Sequence, residues 1–429
     1  MKRAGLLPMP AILAAAVFQA ALWASGADTF LLRNADIFPV TGPEIKDGSI
    51  LVRDGRIAAI GANIIAPKAI RIIEGKGLRA YPGLIDSATE LGLAEISNLR
   101  VTVDSGELGP FMPQLRALTA VNPDSEHFPV VRANGITSVV TLPSPQSGGR
   151  SGESQFIAGQ AALIHADGWT WEEMAVNRAA ALHLIFPALP RNQTGFAEAK
   201  RAYDREIQQI AAFFEEARRY RVAKAAASPA FKPDLKLEAM LPVLDGQLPV
   251  AISAQRETEI LDAIRFADTQ KIRMVLMGPR ELGKAASELK SRNIPVVLGQ
   301  TLDLPLSEDD PYDSAFTLPA EAFRAGLKIA FGTFDNEFVR NLPYNVAAAV
   351  AYGLPYEEAL KAVTINPAEL WGAGAELGSL EKGKSADLML TDGDPFETRT
   401  AVKALFIKGR AVDLSNRQTR LYEKYLNRP

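Results

Sequence analysis

The sequence predicts an α/β protein, a (β/α)8 TIM-like barrel carrying a small discontinuous β-sandwich domain. Three observations lead there. The middle of the chain alternates short continuous apolar runs with amphipathic stretches, as expected of parallel strands buried on both faces and covered by helices. The two ends share another texture, short strands broken by tight turns. The length of 429 residues accommodates a barrel of about 250 residues with an attachment. An open doubly wound sheet is the alternative for the same alternation.

In chain order, residues 1–26 read as a secretory signal. Lys2 and Arg3 precede an apolar run from Ala11 to Ala24, which ends in the small residues Ala24-Ser25-Gly26-Ala27. The run is short for a membrane-spanning helix, which needs about 20 apolar residues. The mature protein is therefore expected to be periplasmic or secreted, with no membrane association after cleavage. Residues 27–80 form the first part of the β domain. Asp54-Gly55 between two apolar runs marks a hairpin, because that pair tolerates positive φ.

Residues 81–374 carry the barrel. Strands are read at 83–85, 136–140, 182–186, 249–252, 274–277, 295–298 and 327–331, seven of a possible eight. Tyr203, Ile207, Ile210, Phe214 and Ala217 recur at helical spacing between two of them. The stretch from Pro143 to Gly168 is rich in Gly and Ser around 144–152 and reads as a long loop. Residues 375–429 return to the β domain through Ala386-Asp387-Leu388-Met389-Leu390 and 405–412. Each end segment leaves a sheet edge that the other would cover.

Composition narrows the chemistry. The 47 Lys and Arg against 50 Asp and Glu leave no electrostatic footprint for nucleic acid. With no cysteine, thiolate zinc sites and disulfides are excluded. A histidine metal site would have to use His127, His165 and His183, which are widely separated. His183 lies in an apolar run as a satisfied core or barrel-lining residue, His165 in a turn context and His127 in a polar loop or helix start. Gly378-Ser379-Leu380-Glu381-Lys382-Gly383-Lys384-Ser385 satisfies the spacing of a phosphate-binding loop, but a strand rather than a helix follows, so it reads as a turn.

Tyr81-Pro82-Gly83-Leu84-Ile85-Asp86-Ser87-Ala88-Thr89-Glu90 resembles the PGLIDxHxH junction of the amidohydrolase superfamily, in particular its imidazolonepropionase-like members. Gly48 to Gly61 resembles that family's opening hairpin, Thr364-Ile365-Asn366-Pro367-Ala368 its late helix start, and 378–388 its GxLxxGxxADL return. The resemblance implies a hydrolase of C–N bonds with a metal held at the barrel mouth. The departures are concentrated there. Ser87 and Thr89 stand where the His-x-His pair is expected, Ser253 ends a strand that carries a ligand histidine in the family, and Met277-Gly278 replaces a further histidine. The terminal Gly-Thr-Asp becomes Gly332-Thr333-Phe334, with Asp335 one position late as the only stand-in for the aspartate that is ligand and general base in the family.

Neutral hydroxyls are poor zinc ligands beside imidazole or carboxylate, and without zinc the chain lacks the metal-activated water. No cofactor is expected, save a weakly held divalent cation. Ser87, Thr89, Glu90, Ser253, Met277, Gly278 and Phe334 are the candidate binding residues and Asp335 the candidate catalytic one. Three readings follow: a non-catalytic binding or partner subunit that assembles with an intact relative, a hydrolase using a rearranged carboxylate site, and a periplasmic barrel that binds a small polar molecule. Glu90 and Glu95, with Asp335 and Glu337, would supply the carboxylates, although capping and ion pairing in the first loop account for the first two.

Overall fold

The computed structural model describes residues 28–145, 154–189, 195–226 and 229–428; the expected signal and most of the Gly/Ser-rich run fall outside them. Among the described residues no helix is long and apolar enough to cross a membrane.

The ends of the chain build one eight-stranded sheet. Its strands are β1 (Phe30–Ile37), β2 (Ile45–Arg53), β3 (Arg56–Gly61), β4 (Arg71–Glu74) and β5 (Arg79–Pro82), with β14 (Leu388–Thr391), β15 (Val402–Ile407) and β16 (Arg410–Ala411) from the far end. The predicted hairpin turns at Asp54 (φ 49°) and Gly55 (φ 75°) between β2 and β3. The two ends meet where β5 pairs antiparallel with β14, Tyr81 opposite Met389, so each covers the other's edge. The sheet curls on itself instead of splitting in two. The rings of Phe30 of β1 and Phe406 of β15 lie 4.7 Å apart, tilted by 31°, although β14 and β5 lie between their strands.

The barrel strands are β6 (Leu84–Thr89), β7 (Ile136–Thr141), β8 (Ile157–His165), β9 (Ala175–Ile185), β10 (Val250–Ser253), β11 (Met274–Met277), β12 (Val296–Leu298) and β13 (Ile329–Phe331), adjacent in that order. The first and last are stitched together by Phe334 N–H to Ala88 O at 2.7 Å and Glu90 N–H to Asp335 O at 3.0 Å, which closes the ring. The seven predicted strands are all present, and the predicted helix is Phe196–Ala225.

The eighth strand corrects the sequence reading. Residues 157–165, expected inside a long loop, form β8, which is buried throughout and antiparallel to both β7 and β9. An antiparallel neighbour needs no crossover helix, so the βα rhythm breaks here. Its Ala158, Gly159, Ala161 and Ala162 also carry little strand propensity. His165 ends this strand, buried, with Nδ1 3.2 Å from Ser138 Oγ and 3.4 Å from Asp387, and so joins the barrel to the curled sheet. The lower end of the barrel is plugged by Ala368, Trp371 and Leu377, which pack against Ile85, Ala181 and Val275. The phosphate-loop lookalike is the turn before β14, with positive φ at Gly378 and Gly383, as its context predicted.

Candidate functional site at the barrel mouth

The C-terminal ends of the parallel strands define the mouth, where barrel enzymes place their chemistry. On β6 the structure changes which residues matter. Ala88 packs into the barrel interior with Ile85 and Val140, and its Cβ lies where a side chain on Gly332 would have to go. Thr89 instead donates its hydroxyl to Asp335 O at 2.5 Å and accepts the Leu91 N–H. Ser87 is fully buried, and among the described residues its hydroxyl has no hydrogen-bond partner. Counting the motif forward from Pro82-Gly83-Leu84-Ile85-Asp86 places its two histidines at Ala88 and Glu90, not at Ser87 and Thr89. A slip of one residue turns a strand side chain to the other face, which is why the distinction decides the site.

Glu90 accepts a hydrogen bond from Ser144 Oγ, and burial pushes its carboxyl pKa up, with the nearby Asp335 charge adding to the effect. It opens on a cavity of about 290 Å³ lined also by Ser97, Arg100, Ser105 and Ser144. Asp335 is otherwise engaged: its Oδ1 accepts the N–H groups of Glu337 and Phe338 at 2.7 and 2.9 Å, so it caps the turn into the 3-10 helix Phe338–Asn341. Glu337 is exposed, and Glu95 accepts from Asn122 at the loop surface while its backbone oxygen receives His127 Nε2 at 2.9 Å. Phe334 sits at φ 52°, and its ring reaches across the mouth to within 3.6 Å of the Cβ position of Gly278. Met277 is buried in the barrel interior.

Ser253, half-buried at the end of β10, has a partner the sequence did not disclose. His183 Nε2 of β9 lies 2.8 Å from Ser253 Oγ, and His183 Nδ1 lies 2.6 Å from Pro143 O. A carbonyl oxygen only accepts, so Nδ1 carries the proton, Nε2 is the bare acceptor and the serine hydroxyl donates to it. Burial pushes the imidazole down to about 4, which keeps it neutral. The register that sets His183 opposite Ala251 across a parallel pair brings the two side chains together over 70 positions of sequence.

The Amidohydrolase family profile matches residues 175–412, more than half of the chain. The chain belongs to the amidohydrolase family. It is 23% identical over 433 aligned positions to Amidohydrolase tasK of Hapsidospora irregularis, covering 90% of this chain but 43% of that protein, so it spans less than half the length of that relative. A 72-residue segment, 16% of this chain and 17% of the relative, is 43% identical to the imidazolonepropionase of Syntrophobacter fumaroxidans. Among solved structures, an amidohydrolase from Thermotoga maritima MSB8 superposes with a TM-score of 0.74 at 27% identity, covering 90% of this chain and 99% of that one.

Against the amidohydrolase ligand pattern, the donor set of this chain does not fit a zinc ion. Ala88, Gly278 and Phe334 offer no donor atom, the Ser253 hydroxyl is given to His183, and Glu90 alone could ligate. Among the described residues no group of three or more His, Asp or Glu side chains is placed to hold a metal.

Proposed function

We propose that this amidohydrolase-family chain is exported and that its barrel mouth binds a small polar molecule without the family's metal, in place of metal-assisted hydrolysis. The observation that carries this reading is the Phe334 ring standing within 3.6 Å of where a Gly278 Cβ would lie, so that two of the family's ligand positions offer no donor atom and an apolar ring occupies the space between them. The same end of the barrel keeps hydrogen-bonding groups: Ser253 at the end of β10, and Glu90, Ser144 and Arg100 in the cavity after β6. Such groups orient a ligand, and the apolar ring supplies contact area.

The test is elemental analysis of the purified mature protein, joined to hydrolysis assays on N-acyl amino acids, dipeptides and cyclic amides. Substoichiometric metal and no metal-dependent turnover are expected; a full equivalent of metal with turnover overturns the reading. Export is tested by the N-terminal sequence of protein recovered from the periplasm or medium. A start just after Gly26 or Ala27 supports it, and retention of Met1 in the cytoplasm counts against it.

A partner role is a second reading, favoured by the mouth's rim. Val101 (85% exposed), Leu304 (84%) and Tyr312 (76%) stand in the loops after β6 and β12, with Phe338 in the loop after β13 between them. Large apolar side chains exposed on neighbouring loops of one barrel end are the kind of surface that association covers. Sedimentation of the chain mixed with an intact amidohydrolase from the same cell should show a complex that Val101→Asp with Leu304→Asp abolishes; independent sedimentation of the parent refutes it.

A further inference from the structure

We propose that Ser253 is a nucleophile activated by His183, so that the mouth captures small activated acyl compounds as an acyl-serine; this rests on the metal-independent reading of the same mouth. Three features of the geometry argue for it. The hydroxyl donates to a bare imidazole nitrogen at 2.8 Å, the arrangement in which a base accepts the proton as the oxygen attacks. The imidazole is held in the required tautomer by Pro143 O at 2.6 Å, a third group behind the base. The serine stands half-buried at the C-terminal end of its strand, the end that forms the mouth, and the histidine is buried behind it with Nε2 turned to the serine oxygen.

The step balances without a metal or an oxidant. Ser253 Oγ bonds to the carbonyl carbon of an ester, its proton passes to His183 Nε2, and the C–O bond to the leaving alkoxide breaks as that proton is delivered to it. Ala254 N–H, next in the chain, makes only a stretched 3.4 Å contact with Met277 O and is the nearby backbone donor for the transient oxyanion.

An alkyl fluorophosphonate is the first probe, since serine attack on phosphorus expels fluoride and leaves a stable adduct. Intact and peptide mass analysis should place one adduct on Ser253, absent from Ser253→Ala and formed at least about 100-fold more slowly in His183→Gln. p-Nitrophenyl acetate should give a burst of nitrophenolate of about one equivalent with the same dependence. The second probe uses the absence of cysteine from the chain: Ser253→Cys introduces a single thiol. Iodoacetamide should alkylate it at neutral pH at least about tenfold faster than in Ser253→Cys with His183→Gln. No adduct, an adduct elsewhere, or equal thiol rates with and without His183 overturns the proposal. All reactions are run with and without a chelator. Labelling that collapses on chelation and returns with zinc defeats the metal-independent reading; chelator-insensitive protein that fails to label defeats only the nucleophile.

Discussion

Thr333 donates both its backbone N–H, at 3.1 Å, and its hydroxyl, at 2.6 Å, to the carboxylate of Asp86. The pair joins the segment after β13 to β6 at the closing seam of the barrel, and the Ala88 N–H adds a third bond to the same carboxylate. Burial outweighs these donors and pushes the Asp86 carboxyl up to about 7. Between about pH 4 and 7 the seam therefore holds a proton that the unfolded chain has lost.

Asp86 and His183 make opposite contributions to stability against pH. The folded Asp86 pKa lies above its unfolded value, so its contribution is full below about pH 4 and is lost as pH rises to about 7. The folded His183 pKa, about 4, lies below its unfolded value, so its contribution is present above about 6.5 and is lost as pH falls through 4. Urea denaturation across this window should show Asp86→Asn gaining stability with rising pH relative to the parent. His183→Gln should lose it, each by up to about 1.4 kcal/mol per pH unit. Parallel profiles for all three proteins would show that neither group is shifted.

Asp335→Ala should cost about 1 kcal/mol through loss of the cap on the turn at Glu337 and Phe338. It should leave the Ser253 labelling rate within about twofold of the parent. A hundredfold loss of labelling with unchanged stability would return Asp335 to a catalytic role.

Phe334→Ala should lower stability by about 1–3 kcal/mol, less than a fully buried Phe→Ala because the ring is half-buried. Phe334→Gly should recover part of that loss, since the backbone at φ 52° favours glycine. Thermal and urea unfolding of the two variants checks the order; Gly below Ala contradicts it.

Gly83→Ala tests the junction between the curled sheet and the barrel. A Cβ there would collide with Thr137 Oγ1 and lie 2.6 Å from Thr137 Cβ, so β6 or β7 must shift. A loss of about 1–3 kcal/mol is expected. Thr137→Gly in the same chain should relieve the clash, making the double variant more stable than additivity predicts; strict additivity would place the strain elsewhere.

Much of the architecture is legible because it rests on local pattern. The Asp54-Gly55 turn and the apolar runs of β6, β7 and β9 to β13 follow from residue type and period alone. The strand β8 is not legible in this way, since its alanines and glycine carry a weak signal and its burial comes from β7 and β9. In the site, Phe334, Gly278 and Ser253 are found at the mouth as the motifs imply, whereas the role of Ala88 emerges only from the direction its side chain takes.

By itself the sequence determined the kind of fold and the residue types at the strand ends, because strand periodicity and side-chain chemistry are properties of residues one at a time. Only the tertiary structure decided which of those residues meet. Ser253 and His183 meet because two parallel strands pair in one register, and Pro143 O fixes the tautomer from a third segment. Ser144, the next residue, ties the same peptide to Glu90. Hydrogen bonds across 40, 54 and 70 positions depend on barrel closure, and no local pattern encodes that distance.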